Sequence, residues 1–114
     1  MQATFVQDGG FIDHTPAADV AAGDVIQILE PGGDGYLGVA TRDIPANTKG
    51  ALALTGVFRI AKENAAINQG QKVYWDSAAK QIVATNPGTL IAAGRALYDT
   101  LAAETTVLVR LSWL

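Results

Sequence analysis

The chain has 114 residues, a net charge of -3 and 17% charged residues, a length for one domain that can bury roughly two thirds of the surface its unfolded form exposes. With no cysteine, disulfide frameworks and thiolate metal sites are excluded, and the composition accords with a reducing compartment. The eight Lys and Arg residues (Arg42, Lys49, Arg59, Lys62, Lys72, Lys80, Arg95, Arg110) are scattered and never adjacent, so the basic field that collects phosphates is missing and direct nucleic-acid binding is not expected.

In chain order, Met1–Phe5 has no basic n-region and no long apolar run, so a signal peptide is not expected. No stretch approaches the roughly 20 apolar residues that span a membrane as a helix, and no membrane partner is expected. Short runs rich in Val, Ile, Leu, Thr and aromatics then alternate with Gly- and Pro-bearing turns. The expected strands are Ala3–Val6, Phe11–Asp13, Val25–Leu29, Tyr36–Ala40, Gly50–Leu54, Val57–Ile60, Lys72–Trp75, Gln81–Ala84, Leu90–Ala96 and Thr106–Leu111. Between them, Gln7-Asp8-Gly9-Gly10, Glu30-Pro31-Gly32-Gly33-Asp34-Gly35 and Thr85-Asn86-Pro87-Gly88 are strong turn signals. In the last strand Val107, Val109 and Leu111 share one face, and Leu108 on the other suggests cover on both sides. Lys62–Asn68 and Leu97–Ala103 are the only helical candidates, each about two turns at most and in need of tertiary support. The pattern predicts an all-β domain over residues 1–114, a small barrel or sandwich of about ten short strands with at most one short helix.

A faint internal repeat runs through this order. Val20-Ala21-Ala22-Gly23-Asp24-Val25 is echoed by Ile67-Asn68-Gln69-Gly70-Gln71-Lys72-Val73. Leu37-Gly38-Val39-Ala40-Thr41-Arg42-Asp43 is echoed by Ala93-Gly94-Arg95-Ala96-Leu97-Tyr98-Asp99. Each copy reads as a turn glycine, a strand, a loop and a return strand, which implies two related β units packed in one domain.

The motifs that could carry chemistry fail on context. Gly33-Asp34-Gly35-Tyr36-Leu37-Gly38 matches G-x-G-x-x-G, but a dinucleotide site needs a helix after it, and here a strand pattern follows. Asn47-Thr48-Lys49-Gly50 lacks a phosphate-cradling loop. His14, the only histidine, lies near Asp13 and Asp19 but stands where Asp, His, Thr and Pro ordinarily make a turn. Glu30, Asp34 and Asp43 lack EF-hand spacing and read as solvated loop acids. No catalytic residue, cofactor or metal is assigned. Hydrophobic residues make up 49% of the chain, more than so few charges would predict, which implies apolar surface covered by other copies or a partner. Trp113-Leu114 gives the chain an apolar end, expected to dock on its own domain or on a neighbouring subunit.

Three stretches, in this order and spacing, resemble a family of short phage and prophage proteins once described as a domain of unknown function. They are Ala3-Thr4-Phe5-Val6-Gln7-Asp8-Gly9, Ile12-Asp13-His14-Thr15-Pro16 and Asp19-Val20-Ala21-Ala22-Gly23-Asp24-Val25. Gly38–Ile44, Gly50–Phe58 and Gly70–Asp76 continue the likeness, which covers the chain from Ala3 to about Leu111. Members of that family are regarded as capsid cement or decoration proteins, and some have carried a RecA-like recombinase label that this sequence, without a phosphate loop, does not support. The resemblance implies a non-enzymatic protein made in the host bacterial cytoplasm. It would bind the major capsid protein on the outer surface of the expanded head and stabilise it against internal DNA pressure. It also implies self-association, with a homotrimer ahead of a homodimer. Phe5 and Val6, in a contact arm over residues 1–9, and Trp113 and Leu114 are the expected capsid or subunit contacts. The alternative is another β-class virion component, such as a head fibre, a tail module or a receptor- or glycan-binding module.

Overall fold

The computed structural model describes residues 2–5 and 9–111. The described residues form nine strands in two antiparallel sheets. The first sheet holds β1 (Phe11–His14), β2 (Val25–Leu29), β3 (Gly35–Ala40) and β4 (Gly50–Ala53) in the order β1-β4-β3-β2. The second holds β5 (Gly56–Ala61), β6 (Lys72–Asp76), β7 (Gln81–Val83), β8 (Ile91–Ala96) and β9 (Thr106–Leu111) in the order β5-β9-β8-β6-β7. The second sheet curls on itself: a parallel bridge joins Lys62 to Ile82, and Glu63 N–H donates to the Ile82 carbonyl at 2.9 Å. The all-β, sandwich-like expectation is met. One local expectation is corrected, because Ala3–Phe5 is not in a strand; neither helical candidate is helical, within the expectation of at most one short helix.

The repeat is real, and strand order displays it: β1, β4, β3 and β2 correspond to β5, β9, β8 and β6, with β7 added outside β6. Registers agree in detail. Phe11 opposite Ala53 corresponds to Phe58 opposite Val109, and Val25 opposite Val39 to Lys72 opposite Arg95. The correspondence slips where β8 meets β9, after the irregularity at Val73 and Tyr74.

Each copy opens on the same turn. Asp24 N–H donates to the Ala21 carbonyl at 3.0 Å, and Gln71 N–H to the Asn68 carbonyl at 3.1 Å. Gly23 and Gly70 occupy the third turn position at φ of 91° and 82°, the left-handed conformation that a type II turn requires there. A side-chain oxygen closes each turn from inside, Asp24 Oδ2 on Ala21 N–H and Gln71 Oε1 on Asn68 N–H, both at 3.0 Å. A second acid arrives from the return loop: Asp43 accepts Ala22 N–H at 2.9 Å and Asp99 accepts Gln69 N–H at 2.6 Å. The bridges Val20–Ile44 and Ile67–Thr100 complete the two straps. That second bridge pairs the helical candidates with each other as extended chain, which is why neither coils.

Alternation along the strands sets two cores. Leu37 and Val39 on β3 join Ile60, Val73, Trp75, Ile82, Ile91, Val107, Val109 and Leu111 in the main core. The intervening Ala40 packs with Val20, Ile44 and Leu52 in a smaller core beneath the loops of the first half. β3 is thus covered on both faces, as a nearly continuous apolar strand must be. The predicted face of Val107, Val109 and Leu111 is buried, with Leu108 half-buried behind it.

Substituting Gly23→Ala or Gly70→Ala should each cost about 1–2 kcal/mol, since both sites have open space but a left-handed backbone. Denaturant unfolding of the single variants measures this. Thr100, the counterpart of Ile44, buries a hydroxyl oxygen that has no hydrogen-bond partner. Thr100→Val should therefore raise stability by up to about 1 kcal/mol in the same assay.

Candidate interaction surfaces

The polar side chains that sequence reasoning weighed for chemistry are used to hold backbone. His14 ends β1 opposite Gly50, and the neighbouring Asp13 pairs with Lys49 at 3.2 Å on the surface. The G-x-G-x-x-G segment runs from the turn of the β2–β3 hairpin into β3, and Asp34 Oδ1 accepts Gly35 N–H at 2.8 Å where the two meet. Asp43 belongs to the first strap. Among the described residues, no three His, Asp or Glu side chains are grouped as metal ligands.

Lys62 is the polar residue that sequence reasoning missed. Only 6% exposed, its ammonium group donates to the carbonyls of Glu63 and Leu101 at 3.0 Å and of Glu104 at 3.1 Å. A charged donor shared among carbonyls is stronger than neutral pairs. It fixes the loop between β8 and β9 to the start of the bridge that closes the second sheet. Glu63 extends the clasp by accepting Ala84 N–H at 2.7 Å. No motif marks Lys62, because its partners are backbone atoms of residues distant in the chain.

The pinned loop displays apolar surface. Tyr98 and Leu101 are 60% and 71% exposed on it, and Leu101 is held by its own carbonyl. Large exposed side chains recur at Leu29 and Val57. A cavity of about 660 Å³ lies between the two halves, lined by β2, Val39, Phe58, Ile60 and Trp75, with Arg59 and Lys80 at its margin. Of the four expected contact residues, Phe5 is 80% exposed, and Val6, Trp113 and Leu114 lie outside the described residues.

The surface carries single exposed apolar side chains on the β8–β9 loop, on β2 and on β5. A family model described as phage cement protein matches residues 6–111, which span all nine strands. The chain belongs to the phage cement protein family. No curated protein matches the chain. No solved structure matches it either. Membership ties the chain to the phage capsid as a structural component, in line with the expectation drawn from the order of its turn motifs.

Lys62→Met keeps the stem and removes the charged donor, so it should destabilise the fold by about 2–4 kcal/mol while leaving an all-β circular dichroism spectrum. Loss of protection from amide exchange should be greatest in residues 97–105.

Proposed function

We propose that the protein is a non-enzymatic capsid cement, and the observation that carries this reading is the family match across every strand. It would be made in the host cytoplasm and would bind the outer surface of the expanded head, bridging joints between major capsid subunits. A ligand that binds only the assembled, expanded state stabilises that state by mass action, by about 2.7 kcal/mol per site at a hundred times its dissociation constant. Repeated over a shell, that increment opposes the outward force of packaged DNA. The non-enzymatic part of the reading draws support from the use of Asp24, Asp43, Glu63, Asp76 and Asp99 as acceptors for backbone N–H groups.

The acting unit in this proposal is one domain over residues 1–114, assembled as a homotrimer, with a homodimer as the other closed form. Phe5, Val6, Trp113 and Leu114 serve as capsid or subunit contacts. To these we add Tyr98 and Leu101, because a rigid loop loses little conformational entropy when its exposed apolar side chains dock.

Mixing the protein with expanded, undecorated capsids tests the reading. Co-sedimentation and a higher capsid melting temperature are expected, and the absence of both overturns it. Leu101→Ser should leave unfolding free energy within about 0.5 kcal/mol and weaken capsid binding about tenfold or more.

A further inference from the structure

The second half of the molecule contains a strand that the first half lacks. β7 lies along the outer edge of β6, with Val83 opposite Tyr74, Ile82 opposite Trp75 and Gln81 opposite Asp76. Counted along the chain from Gly70 and Gly23, Tyr74, Trp75 and Asp76 fall at Gln27, Ile28 and Leu29 of β2, although beyond Val73 the β6–β8 pairing shifts by one residue relative to β2–β3. Where the chain after β6 forms a hairpin strand, the chain after β2 makes only the short turn Glu30–Asp34, closed by Glu30 N–H on the Asp34 carbonyl at 2.7 Å. Among the described residues β2 therefore has β3 on one side and no strand on the other.

The backbone of that open edge can be specified. Asp24 and Glu30 bond across to Ala40 and Asp34, so in an antiparallel ladder the even-numbered residues Ile26 and Ile28 bond β3. Val25, Gln27 and Leu29 then direct their N–H and C=O groups outward, and among the described residues nothing pairs with them. The strand reads Val-Ile-Gln-Ile-Leu, with none of the charges, prolines or bulges by which natural edge strands are protected from a second chain. The interhalf cavity opens beside the Val25, Gln27 and Leu29 face.

We propose that β2 is an acceptor for strand addition, and that its occupant is the Ala3-Thr4-Phe5 segment of a second copy of this chain. Three residues are what β7 supplies to β6. Laid antiparallel so that Phe5 joins the face of Val25, Gln27 and Leu29, the segment places Phe5 opposite Gln27, Thr4 opposite Ile28 and Ala3 opposite Leu29. Alternation then turns Phe5 toward the cavity, where Val25 and Phe58 stand ready to cover a ring that is 80% exposed in the single chain. The donor is a second molecule because in its own chain the segment is exposed and in no strand, and it leads into β1, at the opposite edge of the sheet from β2. Donor and acceptor are different surfaces, so exchange closes as a reciprocal pair or as a ring. This inference does not depend on the capsid reading.

The test is made on the full chain in the absence of capsids, by light scattering after size exclusion and amide exchange at two concentrations. An oligomer is expected in which the Gln27 and Leu29 amides are protected despite having no acceptor in their own chain. Phe5→Ser, at an exposed site, and Gln27→Pro, whose lost N–H serves no bond within the chain, should both fold normally, run as smaller species and lose that protection. Because the chain has no cysteine, mixing an F5C chain with a Q27C chain should also yield a disulfide between the two under mild oxidation. Unprotected Gln27 and Leu29 amides in the intact protein overturn the proposal. So does protection that persists in a monomer on dilution, which assigns the edge to the same chain's segment, and so does protection gained only on adding capsids, which assigns it to a shell strand.

Discussion

The fold depends on a strap made twice. A solvent-exposed loop must reverse ahead of each central hairpin and hold one geometry there, which costs backbone conformational entropy that local bonds must offset. Both halves solve this with a glycine in the left-handed conformation, a side-chain oxygen closing the turn, and an aspartate reaching back from the far loop. The glycine and the two bonds set where β2 and β6 begin, and the facing of β3 and β8 between the sheets follows. Asp43, one of the acids that might have suggested chemistry, is part of this frame.

The two halves diverge where the molecule needed different things from each. The second gained β7, the Lys62–Ile82 bridge and the Lys62 clasp, and so holds most of the main core within a sheet that nearly closes. The first kept a smaller core under its loops and an open edge. Thr100 stands where the first half has Ile44 and leaves its hydroxyl unsatisfied, so the copies are not equally optimised. Stability is concentrated in the second half, and exposed strand edge in the first.

This division suits a protein whose work is adhesion to a repeated surface. Membership in the phage cement family fits a molecule with pinned loops, isolated exposed apolar side chains and weak charge. Such a surface gains binding free energy from burial without long-range steering, and a rigid frame limits the entropy lost on docking.

The sequence by itself determined the class of fold, the positions of the nine strands to within a residue or two, the internal repeat and the failure of the nucleotide-like motif, while the strand expected over Ala3–Val6 is not seen at Ala3–Phe5. These rest on period-two alternation and on turn glycines, which act over a few neighbouring residues. It also carried the family likeness through the order of its turns. Three features were decided only by the tertiary structure. The segments Lys62–Asn68 and Leu97–Ala103 became a bridge in place of helix, because each found the other's backbone. Lys62 became a buried clasp because carbonyls of residues 101 and 104 converge on it. The edge of β2 stayed open because a five-residue turn replaced a strand. Each depends on contacts between residues far apart in the chain, and local pattern holds no record of those distances.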